Sequence, residues 1–430
     1  MKSFVMKGNI LYSKTAERIE AFPNSYLVCE EGICRGVFEQ LPPRWKDLPL
    51  EDCGNKLIVP GLVDLHIHAP QYAFRGTGMD LELMDWLQQQ AFPEEARYAE
   101  PEYAAQAYGI FAERLKKSAT TRAVIFATRH RAATQLLMEL LEKTGLITYV
   151  GKVNMDREAP KDLAEESAEA SARETAAWLG WAKGRFERTR PILTPRFIPS
   201  CSRELLEKLR QLRADYDLPV QSHLSENPGE VAFVKSLFPE EETYGGCYDR
   251  YDLFGRKPGS AFTQGTIMAH CVYSSEKEIA LMKQNGVFVA HCPASNTNLA
   301  SGIAPIRKYL EQGLHLGLGS DVAGGQTESI FRAAADAVQV SKLYWRLVDE
   351  AQKPLRFDEA FFLATKGGGA FFGKVGSFEE GYELDALVLD DSHVPHPQAL
   401  TLRQRLERFA YLGGEENGVA AKFVAGRRIF

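Results

Sequence analysis

The sequence predicts an α/β protein: a (β/α)8 TIM barrel carrying a small β-sandwich module formed from the N- and C-terminal segments. Three observations predict it. Through the middle of the chain, eight short β-branched or apolar runs alternate with longer helical patterns. Strand and hairpin patterns recur at both chain ends. Histidines and an aspartate stand where the central runs stop, which in a barrel is the face that carries chemistry. At 430 residues the chain is long enough for one large barrel and a smaller module.

Taken in order, residues 1–57 read as the first part of the β module. Asn9 to Tyr12 is one strand, and Tyr26 to Phe38 is a hairpin turning at Glu31-Gly32. Residues 58–373 read as the barrel, with strands at 62–68, 123–127, 149–154, 190–195, 219–223, 266–270, 287–291 and 314–321. The Ala- and Glu-rich segment 163–183 predicts one intervening helix. Ser275-Glu-Lys-Glu278 opens another as a capping box, and Gly286 ends it. Residues 374–430 close the β module, with a strand near 384–390 and a hairpin from Val419 to Phe430.

Composition excludes several function classes. With 45% hydrophobic and 25% charged residues it is ordinary for a globular protein. Net charge is −6 with no long basic run, which argues against nucleic acid as a partner. The N-terminus lacks the apolar core of a signal peptide, and no apolar stretch is long enough to span a bilayer. Seven cysteines are scattered without a C-x-x-C pair. They read as reduced thiols used as small buried hydrophobes in a cytoplasmic protein, and their scatter argues against a structural thiolate zinc site.

The stretch from Pro60 to His68 carries the first chemical signal. In a strand, residues i and i+2 share a face, so His66 and His68 aim both imidazoles at one point. His223 ends the fifth strand, His270 the sixth, and Asp321 the eighth. On a closed barrel these ends ring one mouth. Four imidazoles and one carboxylate then surround a single cation, and that donor set suits zinc or ferrous iron. His291 ends the seventh strand and reads as a structural hydrogen bonder, with a place behind the ligands as the other reading. His130, His315, His393 and His396 fit no such pattern.

Glu226 follows His223 by three residues. Beside an activated water it is a general acid–base; alone it would be a first-turn helix glutamate facing the macrodipole. Asp321 has two parts open to it: ligand, and acceptor that orients the attacking water. The segment from Tyr244 to Phe262 reads either as a lid over the mouth or as a surface excursion.

These residues resemble the amidohydrolase superfamily, and within it the members that deaminate guanine. The likeness rests on Pro60–Gln71, Thr194–Phe197, Ser222–Asn227, Met268–His270, His291–Asn296 and Gly319–Gly325, with Asp85-Trp86, Phe92-Pro93 and Gly151–Asp156 also fitting. It covers residues 55–375. Ser320 and Pro70 depart mildly from the pattern.

The resemblance implies one zinc ion per chain, with iron(II) as the other candidate, held by His66, His68, His223, His270 and Asp321. It implies that Gln71, Arg196 and Phe197, with His223 and Asp321, bind a purine. Gln71 offers donor and acceptor to the ring nitrogens, Arg196 donates to the C6 carbonyl, and Phe197 packs on the ring. The implied reaction is hydrolysis of guanine to xanthine and ammonia. Activated water attacks C2, Glu226 and Asp321 shuttle protons, and His270 assists at the oxyanion. A homodimer is also implied. Two other readings stay open: the same machinery with a pterin, triazine or adenosine-derived substrate, and a non-catalytic scaffold.

Overall fold

The computed structural model describes residues 3–257, 259 and 262–430. Residues 258, 260 and 261, within the 244–262 segment singled out above, lie outside them.

Seven strands from both chain ends form one sheet. From the N-terminal side come β1 (Phe4–Thr15), β2 (Arg18–Glu30), β3 (Ile33–Phe38) and β4 (Leu50–Pro60). The hairpin between β2 and β3 turns at Glu31 and Gly32, both left-handed, as a tight two-residue turn requires. Next along the chain is β5 (Leu62–His68). Then come β6 (Thr120–Phe126), β7 (Ile147–Gly151), β8 (Val153–Asn154), β9 (Thr189–Pro191) and β10 (Thr194–Pro195). They are followed by β11 (Val220–Leu224), β12 (Thr266–His270), β13 (Phe288–His291) and β14 (His315–Leu318). The chain finishes with β15 (Ala386–Leu389), β16 (Val419–Val424) and β17 (Arg427–Arg428).

The end strands run in the order β17-β16-β15-β4-β1-β2-β3, hydrogen-bonded throughout. The sequence suggested a sandwich; the chain ends instead make one continuous sheet. Alternation gives it two faces. Leu11, Leu57, Val59, Leu387 and Leu389 point into the main core. Their neighbours Ile10, Ile58, Ala386 and Val388 point into a smaller core on the other side. One sheet face is thus already covered by the central elements. Arg122 on β6 forks onto Asp385 at 2.7 and 3.1 Å, a buried bidentate pair that fixes the junction.

Eight of the ten central strands form two parallel four-stranded sheets, β5-β6-β7-β9 and β11-β12-β13-β14, and β8 pairs with β10 in a third. A strand occurs at each of the eight expected places. Helices stand between most of them, including Pro101–Lys117, Arg131–Thr144, Ala168–Ala182, Arg203–Tyr216 and Glu276–Asn285. Side chains of both sheets meet in one apolar cluster, with Val63, Leu65 and Val124 from the first and Ile267, Ala269 and Ala290 from the second. Backbone bonds link the sheets at two seams. Gln221 N donates to Leu193 O at 2.9 Å. Asp321 N donates to His66 O at 2.8 Å, and His68 N to Val322 O at 3.2 Å.

Two helix expectations shift. The helix expected over 163–183 begins at Ala168, because Ser167 caps it and Glu165 turns inward to pair with Lys152 at 2.6 Å. Ser275 caps its helix and Gly286 ends it left-handed. However, Glu278 does not complete a capping box. Its carboxylate accepts from Gly245 N at 2.6 Å and Ser225 Oγ at 2.7 Å. Among the described residues no helix is long and apolar enough to cross a membrane, and all seven cysteines are buried.

Gly151 shows how tightly the strand ends pack. A Cβ there would lie 1.7 Å from Thr194 Oγ1 and 2.8 Å from Ile192 O. Gly151→Ala is expected to cost about 2–3 kcal/mol through overpacking. Gly180→Ala, on an exposed helical face with nothing within 4 Å, is expected to gain about 0.5–1 kcal/mol. Urea unfolding of the two variants checks the contrast.

Candidate active site

The five residues expected to share a cation lie together. His66 and His68 close the fully buried strand β5. His66 Nε2 stands 3.1 Å and His68 Nε2 3.4 Å from Asp321 Oδ1. His68 Nε2 is 3.2 Å from His223 Nε2. His270 Nε2 is 3.6 Å from Asp321 Oδ2 and 3.4 Å from Glu226 Oε2. Donor atoms of His66, His223 and His270, and of His66, His68 and Asp321, converge within 4.8 Å of one another.

The rings are aimed from behind. His223 Nδ1 donates to Arg196 O at 2.6 Å, and His270 Nδ1 to Asn296 Oδ1 at 2.8 Å. Each bond puts the proton on Nδ1 and leaves the Nε2 lone pair facing the centre. Asp321 is placed by Asp64, which accepts from His66 N and Ser320 N, both at 3.1 Å, and from Ser320 Oγ. This ties the end of β14 to β5. Gly319 allows the approach, since a Cβ there would lie 2.9 Å from His66 Cβ. His270 and Asp321 both hold left-handed backbone, φ +72° and +47°. Non-glycine residues take that conformation only where surrounding structure imposes it.

Burial sets the electrostatics. It lowers His66, and together with neighbouring imidazoles holds His68 and His223 well below the ordinary histidine range. Burial also acts to lower His270, but the Glu226 and Asp321 carboxylates outweigh it and raise it. Asp321 is pushed up by burial, yet the surrounding imidazoles pull it below the usual carboxylate range. Burial pushes Glu226 up to about 7. For His66, His68, His223 and Asp321 these shifts favour the neutral imidazoles and ionised carboxylate that a divalent cation takes. Neither ring nitrogen of His66, nor Nδ1 of His68, has a hydrogen-bond partner among the described residues, despite the approach of Asp321 to His66. Buried donors and acceptors left in this state fit a centre that binds an ion.

Glu226 is not in a helix's first turn. It precedes Asn227, the N-cap of Pro228–Leu237, and Glu230 fills the capping role. Glu226 Oε1 accepts from Ser301 Oγ at 3.1 Å, leaving Oε2 toward His270. His291 is buried, but neither ring nitrogen is hydrogen-bonded among the described residues, so it is not the hydrogen bonder expected. Cys292 reaches His270 and Asp321 but donates its thiol to Ala290 O. The segment after Thr243 is neither lid nor excursion where described. Tyr248, on helix Tyr244–Asp249, hydrogen-bonds Ser222 Oγ at 2.7 Å and donates to His223 O at 3.0 Å, so the segment buttresses β11.

A cavity opens onto the cluster, lined by His68, His223, His270 and Asp321 and also by Gln71, Arg196, Phe197, Glu226, Trp86 and Leu299. Gln71 and Arg196 converge on a residue the sequence did not single out. Glu95 accepts from Gln71 Nε2 at 2.8 Å and from Arg196 Nη1 at 2.7 Å. In sequence Glu95 looks like any glutamate after Phe92-Pro93. Asn296 stood within a quoted motif but without a role.

The amidohydrolase family model matches residues 57–428. The chain belongs to the amidohydrolase family. Amidohydrolases are metal-dependent, and this one gathers candidate ligands for a metal. The guanine deaminase of Dictyostelium discoideum is 35% identical, across 99% of this chain and 98% of its own length. That of Escherichia coli (strain K12) is 32% identical, across 89% and 84%. A crystal structure of guanine deaminase from C. acetobutylicum, with guanine bound in its active site, is 45% identical and superposes with a TM-score of 0.94 over all of both chains.

Ser320→Ala in this amidohydrolase leaves the buried Asp64 carboxylate short of a donor, and is expected to cost about 1–3 kcal/mol. Ser320→Thr keeps the hydroxyl and is expected to stay within about 1 kcal/mol of the parent. Chemical denaturation of both variants checks this.

Proposed function

We propose that this amidohydrolase hydrolyses guanine to xanthine and ammonia. The observation that carries the reading is the 45% identical structure with guanine in its active site, matched over the whole chain. The local residues support it. Next to the candidate metal cluster, the cavity presents Arg196 as a donor and Gln71 as donor and acceptor, the pattern that a carbonyl beside ring nitrogens requires.

His66, His68, His223, His270 and Asp321 would hold one ion, and zinc is the metal their donor set best suits. When bound, the ion supplies water activated at neutral pH. The chain's own groups do the rest. Gln71 and Arg196 orient the purine with C2 toward the cluster, and Phe197 packs on the ring. Glu226, buried and raised to about 7, carries the proton it delivers to the ring nitrogen beside C2. Asp321, held ionised, takes a proton from the attacking water and returns it to the departing amine. A C–O bond forms at C2, the exocyclic C–N bond breaks, and the proton on the new C2 hydroxyl returns to Glu226 as the carbonyl forms, so one water is consumed for each ammonia released. His270, 3.4 Å from Glu226 Oε2 and 3.6 Å from Asp321 Oδ2, would assist at the oxyanion, as the resemblance implies.

The two seams between the central sheets, and the apolar cluster they share, support closure of the eight strands into a (β/α)8 barrel. Residues 58–373 would form that barrel, with 1–57 and 374–430 as the β module. A cytoplasmic setting is supported by seven buried cysteines without a C-x-x-C pair. A homodimer follows the resemblance, and sedimentation checks it.

The purified protein is expected to carry about one zinc per chain and to release ammonia from guanine in preference to adenine, cytosine, pterins and triazines. Glu226→Gln is expected to lower kcat by about 10²–10⁴ with metal content unchanged. Metal analysis and an ammonia-release panel test both. Wild-type protein inactive on guanine but active on another member of the panel would overturn the substrate.

A further inference from the structure

Two side chains that line the cavity, Gln71 and Arg196, converge on one carboxylate. Glu95 lies on the short helix Phe92–Ala96, fully buried, and does not itself line the cavity. Its Oε1 accepts from Gln71 Nε2 at 2.8 Å and its Oε2 accepts from Arg196 Nη1 at 2.7 Å. Gln71 Oε1 in turn accepts from Ala323 N at 3.2 Å.

This chain removes a freedom that amides ordinarily have. The two ends of a glutamine side chain are nearly interchangeable in shape, so neighbours decide which end points where. Here a backbone N–H stands at one end and a carboxylate at the other. Flipping Gln71 would set its NH2 group against Ala323 N–H and its carbonyl against Glu95. Gln71 therefore keeps one N–H and one oxygen lone pair, in a fixed order, for whatever occupies the cavity. Arg196 is fixed by the same carboxylate, and the Phe92 ring lies 5.1 Å below its guanidinium. Without Glu95 the guanidinium would be a buried, unpaired charge.

We propose that Glu95 is a specificity-determining positioning residue. Its carboxylate locks Gln71 and Arg196 into the donor–acceptor order that accepts a 6-oxopurine and refuses a 6-aminopurine. This deepens the guanine reading and rests on it. A purine carbonyl at C6 meets the N–H groups of Arg196. A 6-amino group puts N–H against N–H in a dry site, and a buried polar group left unmatched is what makes such rejection strong. Because Glu95 acts before substrate arrives and equally in the ground and transition states, it should act on binding rather than on the chemical step.

The test is Glu95→Gln, near-identical in shape. Its amide accepts from one of the two donors and sets NH2 against the other. The readouts are steady-state kinetics on guanine and on 2,6-diaminopurine, which carries the same 2-amino leaving group with an amine at C6, and calorimetric titration with xanthine. We expect the KM for guanine to rise at least about 10-fold with kcat within about 3-fold, xanthine binding to weaken by a similar factor, and metal content to stay at the parent value. The kcat/KM preference for guanine over 2,6-diaminopurine should narrow at least about 10-fold. In a Gln71→Ala background the Glu95→Gln penalty should shrink, because part of it acts through Gln71. Should Glu95→Gln fail to fold, Glu95→Asp keeps the charge but shortens the reach, and the same KM rise and narrowed preference are expected of it. A fall in thermal midpoint with KM and preference unchanged, or a loss confined to kcat, would overturn the proposal while the guanine reading stands. Wild-type protein that neither deaminates guanine nor binds xanthine would overturn both.

Discussion

The active face depends on gathering four imidazoles and one carboxylate in a single dry spot. Each of these groups loses water on folding, and the protein does not return enough hydrogen bonds to compensate. Neither His66 nitrogen has a hydrogen-bond partner among the described residues, and burial strips protons from His66, His68 and His223. Left alone, such a cluster costs stability. A cation at the centre would offset that cost, which fits the candidate ligands of a metal-dependent amidohydrolase.

Everything around the cluster serves to hold it in that unfavourable arrangement. Asn296 and the Arg196 carbonyl take the outer protons of His270 and His223. Asp64 and Ser320 clamp the last strand's loop to the first strand. Left-handed backbone at His270 and Asp321 turns both side chains inward at the point where a strand would carry them past. Tyr248 braces the chain at His223 from the far side. The binding wall follows the same logic, with Glu95 behind Gln71 and Arg196 as Asn296 stands behind His270. In both places a buried group hydrogen-bonds the outer end of a side chain that lines the cavity.

Much of this was legible in the sequence, for physical reasons. A period of two makes His66-Ile67-His68 readable as two imidazoles on one strand face. Strand ends are marked by short apolar runs, so His223, His270 and Asp321 could be placed before any coordinates. Ser275 and Gly286 signalled their helix through local chemistry alone. What stayed hidden depends on partners far along the chain. Glu95 meets Gln71 and Arg196 across 24 and 101 positions, and nothing local distinguishes it from Glu94. Glu278 sits where a capping box would use it, yet it bonds residues 33 and 53 positions away. Four stretches of the end strands could be read locally, but β4 (Leu50–Pro60) was not, and the single-sheet order is set by pairing between opposite chain ends, which no local pattern encodes. His291 shows the converse error: a strand-end histidine in a family motif that the described residues do not hydrogen-bond.

Crystallographic anomalous scattering above and below the zinc absorption edge measures the central claim most directly. The account predicts one zinc peak per chain, in contact with His66, His68, His223, His270 and Asp321. Two peaks in the cavity, a peak held by other residues, or zinc-loaded protein with no peak among these five side chains would contradict it.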